Sequence, residues 1–319
     1  MKTGRYTLLA ALCTLVCSAS VSAAEAVSFT KGLASTTNDG LIDCGRGSRV
    51  SAVGEISSDD GKIWTVPSAT HFLDGPVATD LYNDCGTAQL ASIDELDLNS
   101  VPLADAGGSE EFTAYIFADN YFELFVNGKL IAIDAVPFTP FNSSVVRFKA
   151  DLPLTVAIKV VDWEESLGIG TEKGRGSNFQ TGDGGLVAVF KNASGETVAI
   201  TDNSWAALPV YISPLTDTSC LQVADYKRDS TACSTDSLSS AQSASAAHWA
   251  EPGNWTDSSY DASVWPASAE FDNDTVGVDN KKGYTNFTDV FDATNNDAVF
   301  IWSDNLILDN VVLFRKTIE

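Results

Sequence analysis

Tyr121-Phe122-Glu123-Leu124-Phe125-Val126-Asn127-Gly128-Lys129-Leu130-Ile131-Ala132-Ile133 decides the fold class. Two apolar runs, rich in aromatic and β-branched residues, flank an Asn-Gly pair. A type I′ turn needs φ > 0 at both central positions, and Asn-Gly adopts it readily, so the stretch predicts a β-hairpin. The same signature continues outward. Residues 144–149 and Leu154–Val161 read as two further strands, the second interrupted by a polar Lys159. Residues 186–190 and 197–201 bracket Ala193-Ser194-Gly195-Glu196, a second hairpin. Residues 298–303 and 311–318 read as closing strands. No fixed-period repeat is visible, which argues against a solenoid or propeller. Many short strands separated by Gly, Pro and Asn turns predict an all-β, antiparallel sandwich with long loops and little helix.

Three regions differ in composition. Residues 25–111 are rich in Gly, Ser, Thr, Asp and Asn, with short apolar pieces such as Lys62-Ile63-Trp64-Thr65-Val66. They read as a loop-rich β region packed on the sandwich. Residues 112–319 form the sandwich itself. Within it, 213–248 is a Ser/Thr/Ala-rich stretch read as a long loop, and 238–249 is the one helical candidate. Residues 249–319 return to aromatic-rich β sequence.

The chain has 319 residues, with 43 Asp+Glu against 19 Lys+Arg and a net charge of −24. That length allows one large β domain or two ordinary ones. Such a polyanion repels phosphate backbones and anionic membrane surfaces, so nucleic acid is excluded as an expected partner. A hydrophobic fraction of 44% is too high for a disordered acidic chain. Residues 1–24 read as an export signal: Lys2 and Arg5, an apolar run over 8–16, then Val21-Ser22-Ala23 before the cleavage point. The apolar run is too short to span a bilayer, and no other long one occurs, so no membrane span is expected. The predicted location is secreted, periplasmic or cell-surface.

Removing the signal leaves Cys44, Cys85, Cys220 and Cys233. An even count in an exported chain predicts two disulfides, and loop-closure entropy favours the local pairing Cys44–Cys85 with Cys220–Cys233. Sequons stand at Asn142, Asn192, Asn254, Asn273 and Asn286.

Ala118-Asp119-Asn120-Tyr121-Phe122-Glu123-Leu124-Phe125-Val126-Asn127-Gly128-Lys129 resembles the strand-turn of galactose-binding-like jelly-roll domains, the modules appended to rhamnosidases and β-galactosidases. Gly184-Gly185-Leu186-Val187-Ala188, Thr201-Asp202-Asn203-Ser204-Trp205 and Tyr260-Asp261-Ala262-Ser263-Val264-Trp265-Pro266-Ala267 are similar to further motifs of that family. So are Leu154–Val161, Ile301-Trp302 and Phe314-Arg315-Lys316-Thr317. The resemblance covers roughly 112–319 and implies a jelly-roll sandwich that binds carbohydrate. In the family the last of these segments comes first, so the order implies a circular permutation, with the C-terminal strand beside or near residues 112–117.

Candidate chemistry follows from strand ends, where the loops of a sandwich collect. Sugar binding needs an aromatic face for C–H groups and carboxylates or amides for hydroxyls. Asp119, Asn120, Trp163, Glu164, Glu165, Trp302 and Asp304 supply both, and would form one carbohydrate-binding cup if their loops share a rim. A structural Ca²⁺ would be held by acidic Gly turns, with Asp39, Asp59, Asp60 and Asp183 as candidates. No catalytic residue is singled out. No G-x-S-x-G occurs, and His71 and His248 read as unrelated structural or surface residues. The leading expectation is an exported, non-catalytic, lectin-like protein. The alternatives are a structural cell-surface or matrix protein, and a glycoside hydrolase accessory or carboxylate-pair hydrolase.

Overall fold

The computed structural model describes residue 1 and residues 26–38, 52–70, 74–135, 142–173, 178–294 and 296–319. Residues 2–24 of the expected export signal, Asp39, Cys44 and His71 lie outside the described residues.

The hairpin forms as predicted. Tyr121–Val126 pairs with Lys129–Ile133, and Asn127 and Gly128 take φ of 51° and 83°. Leu154–Val161 pairs antiparallel with Tyr121–Val126 on one side and with Asp309–Ile318 on the other. Ala206–Leu215, Ser245–His248 and Ser28–Lys31 complete a seven-stranded sheet. A second sheet is built on Glu110–Asp119, flanked by Asn142–Ala150 and Gly185–Asn192. Phe300–Trp302, Ala269–Phe271 and Thr79–Tyr82 extend it, Thr197–Ile200 joins by the second hairpin, and Leu103–Asp105 pairs parallel to Asn142–Ala150.

The sheets face each other across one core. Phe122, Leu124, Val126, Val156, Ile158, Val160, Val312 and Phe314 from the first meet Phe112, Ala114, Ile116, Leu186, Ala188 and Phe190 from the second. The first sheet is also covered on its outer face. Tyr121, Ala157, Val161, Leu208, Val311 and Leu313 turn away from the core, and Ile56, Val66 and Trp163 pack against them. Ile56 and Val66 come from a small sheet of Ser35–Asn38, Val53–Ser57 and Ile63–Val66. A strand buried on both faces needs apolar residues at successive positions, which is why 311–314 is a continuous apolar run and 154–161 is broken only at Thr155 and Lys159.

The C-terminal strand lies near residues 112–117, across the core from them in the middle of the facing sheet, and not beside them in the same sheet. Two expectations need correction. The 238–249 stretch is not a helix: Ala241–Ser243 is a single 3₁₀ turn and Ser245–His248 is a sheet strand. Its small residues carry no apolar stripe to hold a helix, and Ala246 and Ala247 are instead buried on opposite faces. Residues 273–291, read as β, form the short helices Asn273–Val276, Lys282–Thr285 and Thr288–Phe291. Each is one turn long, too short for a 3.6-residue period to show. Each is held by burial of Val276, Tyr284, Val290 or Phe291.

The 213–248 loop carries the hairpin Gln222–Ala224/Lys227–Asp229 and the Cys220–Cys233 disulfide. Cys85 is also disulfide-bonded. The staple fixes Arg228, which lies 4.5 Å over the Trp249 ring and donates to the Pro209 carbonyl. Ser230 Oγ donates to the buried Asp309 carboxylate at 2.8 Å. Among the described residues, no helix is long and apolar enough to cross a membrane.

Candidate functional site

The strand-end residues gather, but inside the protein. Asp119 pairs with Gly185, Asn120 Oδ1 accepts from the Trp163 backbone N–H at 2.7 Å, and Asn120 Nδ2 donates to Asp119 at 2.6 Å. Gly184 lies against the Trp302 ring and Gly182 against the Glu164 carboxylate, so neither has room for a Cβ. Asp119, Asn120, Trp163, Glu164 and Trp302 therefore share one end of the sandwich. Glu165 is half-buried there, and Asp304 is exposed.

The expected open tryptophan face is absent. Trp163 is 1% exposed and Trp302 0% exposed. The Trp163 indole donates to the Ala52 carbonyl and its ring meets Tyr121 edge-on. The Trp302 indole donates to the Asp309 carbonyl and its ring packs on Phe314. Neither ring can stack on a sugar. Two layers seal them: residues 52–66 cover Trp163 on the outer face, and Trp302 lies in the core between the sheets, under Gly184 and Phe314. Asp119, Asn120 and Glu164 are buried with the two rings.

The acidic Gly turns stay apart. Asp60 accepts from the Ser58 and Ser28 hydroxyls and pairs with Lys62 at 3.6 Å. Those hydroxyls pull its carboxyl down to about 2. Asp59 lies beside it in the same turn. Burial pushes the Asp183 carboxyl up, opposed by Lys281. Among the described residues, no group of three or more His, Cys, Asp or Glu side chains could hold a metal ion.

A different feature has the chemistry that the sandwich end lacks. A recess of 260 Å³ opens at the seam between the small N-terminal sheet and the outer face of the seven-stranded sheet. Trp64, Thr65 and Ser68 line one side, and Tyr211, His248 and Glu251 the other. Trp64 is half-buried, because Ile63–Val66 alternates: Val66 plugs the outer-face cluster and Ile63 faces solvent. The His248 ring is stacked between Trp64 at 5.1 Å and Tyr211 at 4.9 Å, and its Nε2 lies 2.8 Å from Thr30 Oγ1. Burial lowers the His248 pKa to about 3, so the imidazole is neutral at pH 7. Burial likewise raises the Tyr211 phenol.

One buried cation ties the seam together. Lys159 Nζ lies 2.7 Å from Glu251 and 3.8 Å from Glu123, and donates to the Ala69 carbonyl. Glu251 also accepts from the Trp255 indole at 3.1 Å. Lys159 was visible as the odd polar residue in an apolar strand. Trp64 was visible as an aromatic in a loop-rich region. The meeting of Trp64 with His248, and of Lys159 with Glu251, had no local signal.

The recess can offer an aromatic wall, a carboxylate and hydroxyls to a small polar ligand. Comparison with known proteins adds no assignment: no family model, no curated protein and no solved structure matches the chain.

Proposed function

We propose that the chain is an exported, non-catalytic carbohydrate-binding protein that takes its ligand in the seam recess, not at the sandwich end. The observation that carries this reading is the cavity that sets the half-buried Trp64, its ring stacked on His248 and overlain by Lys62, beside the Glu251 carboxylate and the Ser68 hydroxyl. The uncovered part of an aromatic ring can receive sugar C–H groups, while carboxylates and hydroxyls order the sugar hydroxyls. Concave sites at the junction of two structural units are where small ligands commonly bind. The galactose-binding-like resemblance of 112–319 supports the same class of ligand on fold analogy alone.

Retention on insoluble and gel-embedded polysaccharides, together with a glycan array, tests the proposal. The wild type should be retained by at least one glycan, and Trp64→Ala should abolish retention while keeping the β circular-dichroism spectrum. The burial of Trp163 and Trp302 favours the second reading, a structural cell-surface protein without a small ligand. Wild-type protein that ignores every glycan would establish that reading over the first.

A further inference from the structure

The charges around the seam recess sort the sugars it can take. Lys159, which pairs with the recess carboxylate Glu251, is also held by Glu123, so the three side chains together carry a net negative charge. Arg228, 4.5 Å over the ring of the lining Trp249, donates to the Pro209 carbonyl. Lys62, over the outer side of Trp64 at 5.6 Å, is paired with Asp60. His248 is neutral, and its Nε2 is engaged by Thr30. The chain as a whole carries −24. A sugar carboxylate or sulfate entering the recess would approach Glu251 with no uncommitted cation among the described lining residues to receive it. In a partly desolvated site that repulsion is much stronger than in water. The acceptor chemistry runs the other way for hydroxyls, since the Glu251 carboxylate retains lone pairs beyond those used by Lys159 and Trp255. At 260 Å³, the space suits a single pyranose ring more than a longer stretch of glycan.

We infer that the recess is selective by charge: it takes one uncharged sugar ring and turns away uronic and sulfated sugars. This rests on the carbohydrate-binding reading above, and it adds the substrate class. Specificity of this kind comes from the penalty placed on the wrong ligand as much as from contacts to the right one.

The test uses the full-length protein and saturation-transfer NMR titrations with methyl glycosides of glucose, galactose, mannose and N-acetylglucosamine. Methyl glucuronide, methyl galacturonide and galactose 6-sulfate serve as their charged counterparts. At least one neutral glycoside should bind roughly tenfold or more tighter than its charged counterpart, with the gap narrowing as salt rises. Ala250→Phe adds bulk at an exposed position of the recess lining, and should erase neutral binding while leaving the melting temperature unchanged. Equal binding of glucoside and glucuronide would overturn the charge selectivity and leave the carbohydrate reading standing. Neutral binding that survives Ala250→Phe would overturn the recess as the site. No binding of any probe would overturn both.

Discussion

The sandwich end and the seam recess hold similar residues in opposite states. Each combines tryptophan with carboxylates. At the end, Trp163 and Trp302 are sealed, their indole N–H groups donating to backbone carbonyls. At the seam, Trp64 gives its indole N–H to Ser58 at 3.2 Å but keeps part of its ring in contact with a cavity. The difference lies in what covers each place. The end is roofed by residues 52–66 over Trp163, by Gly182 against Glu164 and by Gly184 against Trp302. The seam is where two layers meet imperfectly. A strand end therefore becomes a binding rim only where no second layer reaches it.

The sharpest way to break this contrast is to remove the strand that both regions lean on. Deleting Val311 to Glu319 takes Val311, Val312, Leu313, Phe314 and Ile318 out of the two buried faces of the central sheet. Each such side chain contributes about 1.5–3 kcal/mol by burial, and together they approach or exceed the 5–15 kcal/mol stability of a typical domain. The truncated chain should show no cooperative melting transition. A normal melt would mean that the sheet closes without its centre.

Single tryptophan replacements sharpen it next. Trp163→Ala and Trp302→Ala should each destabilise by about 3–5 kcal/mol, the range for emptying a packed aromatic site. Trp64→Ala, half-buried from the start, should cost about 1–2 kcal/mol in urea denaturation. If Trp64→Ala proves as damaging as Trp302→Ala, the recess is core and the proposed site falls.

The smallest effect is in the pH profile, where one group from each neighbourhood pulls in its own direction. Burial raises the Asp309 carboxyl, beneath Trp302, from 3.8 to about 7, with Asp304 and Asp229 adding to the shift and the Ser303 and Ser230 hydroxyls opposing it. Folded protein then binds the extra proton, so Asp309 makes stability fall as pH rises from about 4 to about 7. His248, in the seam, has its pKa lowered from 6.5 to about 3 by burial. The unfolded chain binds that proton, so stability falls as pH drops below 6.5. The two slopes oppose between about pH 4 and 6.5, and Asp309 alone acts just above that window. Melting temperatures should therefore decline between pH 6 and 8 in wild type, and Asp309→Asn should flatten that decline. His248→Phe should flatten the acid side instead. A wild-type curve still rising from pH 6 to 8 would contradict the Asp309 assignment.

Much of the fold was legible locally. Asn127-Gly128 announced its hairpin because turn stereochemistry involves only the two residues that must take φ > 0. Asn192 set the second hairpin in the same way, its side-chain carbonyl accepting from the Ser194 and Glu196 N–H groups at 2.9 and 3.0 Å. The apolar runs at 154–161 and 311–318 reported strands correctly. The adjacent apolar residues at 156–158, 160–161 and 311–314 also carry the less obvious message that both faces of the sheet are covered.

The sequence by itself determined the all-β class, the main hairpins, the acidic surface and the Cys220–Cys233 staple. These depend on interactions among residues close in the chain, or on composition. Tertiary structure alone decided which tryptophan meets a cavity. Trp163 donates to Ala52 across 111 positions and His248 reaches Thr30 across 218. Contacts at such separations follow from how whole sheets stack and which face a third layer covers. No local pattern of side chains encodes that, because the same apolar strand can pack against solvent-covering loops or another sheet. The Trp64–His248–Tyr211 stack exists only once all three layers are in place.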